Sequence, residues 1–250
     1  KKLGLASASA TLSKVFGGTG LSTWHCVQCF LGWQSKKTPR EAPRFLKFFG
    51  KISKCFESLP VLLLIFNIKY KKLFNFDKSE GIIECSSNYS LGELIKVILE
   101  KGWFFNVTPG SKFVTIGGAI ASDVHGKNHH LDGSFSDYVI SLKIITAEGK
   151  LYNCSKNENS QLFQATCGGM GLTGIIVSAK IQLLKVKSQF VDTQIIKTKN
   201  LNETIVKLKE LKVNKYLISV IDTAAKNKAK GRSIIFIGNH SEDENLEYSE

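Results

Sequence analysis

The chain has 250 residues, 43% apolar and 22% charged, a length and balance suited to one large domain or two small ones with an ordinary buried core. Only 4 Pro, 21 Gly and 6 Cys are present, which excludes collagen-like, disulfide-scaffold and wholly disordered chains. The net charge of +13 is uneven: residues 1–72 carry 13 Lys and Arg against Glu41 and Glu57, and the rest is close to neutral.

Residues 1–72 read as a basic, degenerate N-terminal region. The apolar residues Trp24, Phe30, Trp33, Phe45, Phe48 and Phe49 keep neither a period of 2 nor one of 3.6. Two readings of its charge are open, an unstructured or misassigned tail and a site for an anionic partner. The apolar run Leu59 to Ile68 contains Pro60 and Asn67 and is about half of a bilayer span, so no transmembrane helix is expected. The first residues also lack the apolar core of a secretory signal. Cys26 and Cys29 form one C-x-x-C, but a zinc site needs a second pair and none follows at the usual spacing, so no metal is expected.

From about residue 73 the pattern becomes readable. GIIECS at 81–86 reads as a strand. Ser90 then starts a helix as N-cap, with Glu93 placed for a capping box, a stripe of Leu91, Leu94, Ile95, Ile98 and Leu99, and a stop at Gly102. FFNVTPG at 104–110 completes a β-α-β unit. Val139 to Thr146 and Leu151 to Cys154 flank Ala147-Glu148-Gly149-Lys150 as a hairpin. One or two helical turns over 160–166 close at Gly168-Gly169, and a long strand covers 174–186. Asn200 caps a second helix with Leu201, Ile205, Leu208 and Leu211 as its stripe, and strands follow at 216–221 and 233–238. The fold class is α+β, without internal repeats.

Pro109 to His130 is the segment richest in chemistry. Gly117-Gly118 lets backbone approach a ligand, and the small residues Ala119, Ala121 and Ser122 allow a tight turn into a helix whose free N–H groups face an anion such as a diphosphate. A purely structural Gly-rich turn is the alternative. The segment is neither G-x-G-x-x-G after a strand nor a G-x-x-x-x-G-K-[ST] loop. His125, His129 and His130 bring a metal to mind, but Gly126 and the lack of an acidic third ligand oppose it.

TPGSKFVTIGGAIASDVHGKNHHLDGSFSDYV, followed by ITAEGKLYNCS and LFQATCGGMGLTGII, resembles the FAD-binding PCMH-type domain of the vanillyl-alcohol oxidase and p-cresol methylhydroxylase superfamily. HGKNHH is most similar to the decaprenylphosphoryl-ribose oxidase branch. The likeness covers residues 73–186, and a weaker one in 187–250 resembles the start of a substrate (cap) domain.

The resemblance implies FAD held between two α+β subdomains, with the flavin facing a pocket roofed by the substrate domain. It implies cofactor contacts from Gly110, Thr115, Ile116, Gly117, Gly118, Ser122, Asp123, Val124, His125 and Ile176. His125 and Lys127 would border the substrate, with Lys127 a point charge for a substrate phosphate and His125 the candidate catalytic base. The implied reaction oxidises a secondary alcohol of a sugar or polyprenyl-phosphate sugar by hydride transfer to flavin. An arabinonolactone or alditol oxidase and a non-catalytic truncated fragment are the alternatives.

The expected partners are a small-molecule sugar substrate and, peripherally, a membrane surface, with no nucleic acid. Where the family has a first phosphate loop G-R-G-x-S-Y-G-D, this chain has Phe49 to Cys55 without the Arg, the Tyr, the later Gly or the Asp. The chain is therefore expected to be divergent and truncated at its N-terminus and to hold an incomplete cap domain.

Overall fold

The computed structural model describes residues 2–4 and 74–245. The basic region beyond Gly4, the Cys26–Cys29 pair, the 59–68 run and the Phe49–Cys55 stretch lie outside the described residues.

Strands β2 (Phe74–Asp77) and β3 (Ile82–Ser86) form a hairpin. The Asp77 carboxylate shapes its turn by accepting the amides of Ser79 at 2.9 Å and Glu80 at 3.2 Å. Helix α1 (Leu91–Leu99) starts as its sequence predicts. Ser90 Oγ accepts the Glu93 amide at 3.3 Å, and Glu93 accepts the Ser90 amide at 2.8 Å. All five stripe residues are buried, and Gly102, at φ +81°, turns the chain into β4 (Trp103–Phe105).

The two strands joined by α1 do not pair with each other. Both run antiparallel to β7 (Ile175–Lys185), β3 along Ser178 to Gln182 and β4 at Leu183 to Lys185. The other edge of β7 takes β5 (Val139–Ile145), which makes the expected hairpin with β6 (Leu151–Ser155). The sheet order is β2-β3-β7-β5-β6, with β4 beside the far end of β7. Its core joins Ile83, Leu142, Ile144, Ala179 and Ile181 from the strands to the α1 stripe. Three short α-helices, α2 (Ile116–Ala121), α3 (His129–Asp132) and α4 (Ser160–Thr166), and a 3-10 turn over Phe135–Tyr138 complete this unit among the described residues.

A second antiparallel sheet is built from β1 (Lys2–Gly4), β8 (Phe190–Thr198), β9 (Tyr216–Ile221) and β10 (Ser233–His240), in the order β1-β8-β10-β9. Helix α5 (Leu201–Leu211) is capped by Asn200, as expected. Its apolar stripe is not its buried face, however: Leu201 and Ile205 stay 43% exposed, and Thr204 is the buried residue. The Thr204 hydroxyl bonds those of Thr198 at 2.6 Å and Ser233 at 3.1 Å, so α5 docks through a satisfied polar cluster.

Candidate functional site

Thr115 sets the start of α2. Its backbone is extended, and its side chain accepts the Gly118 amide at 3.1 Å. The Ile116 amide donates to Tyr89 O at 2.9 Å, that of Gly117 to Ser87 O at 2.8 Å and that of Ala119 to Thr115 O at 2.8 Å. The first-turn amides of α2 are thus spent inside the protein. This corrects the expectation of free N–H groups facing an anion. The glycine pair also sits within the helix, not ahead of it. A Cβ on Gly117 would lie 3.1 Å from the Ser87 side chain, so a glycine lets α2 rest against the loop between β3 and α1.

The other end of α2 is closed by the second Gly-rich loop. Gly168 N donates to Ile120 O at 3.0 Å and Met170 N to Ala121 O at 2.8 Å. The two loops singled out in the sequence therefore meet on one short helix.

The chain leaves α2 through Asp123, a non-glycine residue at φ +42°. Its carboxylate accepts the Ser134 hydroxyl and the Ser136 amide, each at 2.9 Å, and Phe135 N donates to Val124 O at 2.9 Å. Asp123 thus closes the loop that carries the histidines, and its side chain is committed to that task. The Ser122 hydroxyl is buried without a hydrogen-bond partner. Val124 packs partly buried on the core, and Ile176 is buried in β7. Nothing lies within 4 Å of a Cβ built on Gly110, which is exposed.

His125 and Lys127 are both exposed. The His125 ring meets that of His129 edge-on at 5.7 Å, and His129 meets His130 at 5.9 Å. Among the described residues no three His, Cys, Asp or Glu side chains converge on a point that could hold a metal. Gly126 between them is buried; a Cβ there would strike Asn128 Oδ1 and lie 2.9 Å from Thr108 O. Asn128, only 1% exposed, donates its Nδ2 to Asn106 O at 2.7 Å and to Asp132 Oδ2 at 2.6 Å.

The second sheet leans on this same loop. Leu217 N donates to Lys127 O at 3.0 Å, Lys215 Nζ pairs with Asp132 at 2.9 Å, and His130 Nε2 lies 3.1 Å from Asn214 O. Behind them Tyr216 Oη contacts His240 Nε2 at 3.0 Å. Burial, aided by the nearby Lys215 cation, pulls His240 down to about 4. Cys167, beside α2, is pushed up to about 11 by burial and then by the Asp123 carboxylate, so it is a neutral thiol at physiological pH. The roles of Asn106, Asn128, Asp132 and Lys215 were not read from the sequence. The only local signal was the i, i+4 spacing of Asn128 and Asp132.

A flavin dinucleotide needs close backbone approach and polar partners. The unsatisfied Ser122 hydroxyl, the open space over Gly110 and the exposed polar side chains of His125 and Lys127 fit that need. The first-turn amides of α2 are the part of the cradle already in use.

Residues 57–155 match the FAD binding domain family. The chain is 33% identical over 158 residues, 63% of its length and 42% of the relative's, to an uncharacterized protein in the mprA 5′ region of Streptomyces coelicolor. It is 38% identical over 135 residues to the decaprenylphosphoryl-β-D-ribose oxidase of Mycolicibacterium smegmatis, covering 54% of this chain and 29% of that protein. It is 25% identical over 138 residues to the Δ(24)-sterol reductase of Rattus norvegicus, covering 55% and 25%. The chain thus spans less than half the length of these curated relatives. Residues 57–155 thus match an FAD binding domain, which indicates FAD as the cofactor, and over about half of its length the chain is a homologue of the decaprenylphosphoryl-β-D-ribose oxidase.

Proposed function

We propose that this chain carries the flavin-binding part of an oxidoreductase that oxidises a secondary alcohol of a sugar or polyprenyl-phosphate sugar. In this reading residues 73–186 form the FAD domain and 187–250 begin the substrate domain. The observation that carries it is the bond from Leu217 N to Lys127 O: the second sheet meets the first on the loop that also leaves the Gly-rich helix. A substrate entering there would face Lys127 and His125 together.

Bound FAD supplies the two-electron acceptor. Gly110, the α2 segment Thr115 to Gly118, Ser122 to Val124 and the backbone at Ile176 would line it, with the Ser122 hydroxyl gaining the partner it lacks. His125 would take the alcohol proton on a ring nitrogen, or hold the hydroxyl in line by a hydrogen bond. Lys127 would pair with a substrate phosphate. No helix among the described residues is long and apolar enough to cross a membrane. In this reading a polyprenyl substrate would be met at a membrane surface.

The test is the absorbance of the full chain between about 350 and 500 nm after FAD addition and gel filtration. A retained flavin band that bleaches with a phosphorylated sugar alcohol supports the reading. A folded chain that retains no flavin overturns it and leaves a non-catalytic fragment.

A further inference from the structure

Two independent links run from one segment of the second sheet to one loop of the first. Leu217, in β9, donates its amide to Lys127 O at 3.0 Å. Lys215, just ahead of β9, puts its ammonium 2.9 Å from the Asp132 carboxylate, with the two side chains only 22% and 18% exposed. The same carboxylate accepts Asn128 Nδ2 at 2.6 Å, and Asn128 is anchored in turn to Asn106 O. On the other side the Lys215 amide is fixed to Asn239 Oδ1 in β10 at 2.9 Å. Lys127 is therefore held by its backbone at one of the two points of a clamp, while its own side chain stays exposed. A half-buried ion pair with both ends hydrogen-bonded holds geometry far better than an exposed one. Neither Asp132 nor Lys215 is among the residues expected to touch cofactor or substrate.

We propose that Asp132 and Lys215 are positioning residues: their ion pair locks the second sheet onto the Gly126 to Asn128 loop and so fixes the reach of Lys127 and His125 toward cofactor and substrate. The proposal rests on the function proposed above. Sheet docking and site geometry become one event, because the contact that seats β9 also orients the loop. Asn128 transmits it: with its Nδ2 shared between Asn106 O and Asp132, a shift of the carboxylate moves the residue directly after Lys127.

The experiment uses the full chain with FAD, unmutated and as Asp132→Asn, Lys215→Met and the double variant. Amide hydrogen exchange is read at Leu217, whose N–H enters the clamp, and at Ile181 in the core of the first sheet; the visible flavin spectrum is read alongside. Exchange at Leu217 should quicken about tenfold in each single variant and no further in the double, with Ile181 unchanged and the flavin maxima displaced in all three. Unchanged exchange at Leu217 overturns the proposal. So does equal acceleration at Ile181, which would mean general loosening, and so does faster exchange at Leu217 with an unmoved flavin spectrum, which would make the pair structural glue. Failure of the function reading shows separately, as an unmutated chain that retains no FAD. That result also removes the cofactor half of this proposal, and exchange at Leu217 still decides the clamp.

Discussion

Asp123 reaches across its loop to the Ser134 hydroxyl at 2.9 Å while its own backbone is held at φ +42°. Asp tolerates the left-handed region better than most residues, and its carboxylate here also accepts the Ser136 amide. Asp123→Ala removes two hydrogen bonds to a charged acceptor and leaves Ala in a strained conformation, an expected loss of about 2–3 kcal/mol. Asp123→Asn keeps an acceptor and the tolerance for positive φ, and should cost about 1 kcal/mol. Urea unfolding with unchanged m-values checks the order; equal losses would show that the charge carries the whole effect and that the retained acceptor and φ tolerance carry nothing.

The Ser122 hydroxyl is buried and unsatisfied beside α2. Ser122→Ala should therefore leave the chain without FAD as stable as before, within about 0.5 kcal/mol, or slightly more stable, since a buried polar group without a partner is a cost. If the hydroxyl bonds the cofactor, the same variant weakens FAD binding about 3- to 10-fold. Titration of flavin fluorescence beside a melting curve separates the two effects. Unchanged affinity would remove Ser122 from the cofactor site.

Local signals made part of this molecule legible in its sequence. The Ser90–Glu93 box, the α1 stripe and the hairpin about Gly149 are each encoded within about ten residues, and the structure has them as read. The contacts that build the site are not local. The amides of α2 find the carbonyls of Ser87 and Tyr89, which precede α1, so a loop that reads as an open anion nest is closed by chain from elsewhere. His130 and Asn214 meet across 84 residues, and no spacing rule brings α3 to the segment ahead of β9. Strand β8 was missed because Asp192, Gln194 and Lys197 interrupt its apolar residues, and it is recognisable only from its pairing with β1 and β10.

Gly126 marks where the His125–Lys127 loop is tightest. Its φ is not positive, so the argument is steric: a Cβ would strike Asn128 Oδ1 and press on Thr108 O at 2.9 Å. Gly126→Ala should cost about 1–3 kcal/mol and displace Asn128 from its bonds to Asn106 and Asp132. Gly149→Ala is the contrast: nothing lies near its Cβ, but φ is +75°, so its cost of about 1 kcal/mol is conformational. Thermal unfolding of both with FAD present distinguishes them, because only Gly126→Ala should also weaken flavin binding.

His240 makes the chain sensitive to mild acid. Its ring is buried beside Phe104, bonded to Tyr216 Oη through Nε2, with Nδ1 lacking any partner. Burial and the Lys215 cation lower it from 6.5 to about 4 in the folded chain. The unfolded chain therefore binds a proton at this site between those two values while the folded chain does not. The resulting stability is fully present above pH about 6.5 and is lost as pH falls toward about 4, by about 2–3 kcal/mol over the window. Below that pH His240 adds no further loss. His240→Gln, which keeps a polar partner for Tyr216 but does not titrate, should flatten this part of the stability profile. Melting curves at pH 7.5 and 5.0 for both chains check the sign. An equal acid-induced drop in the variant would assign the sensitivity to the carboxylates instead.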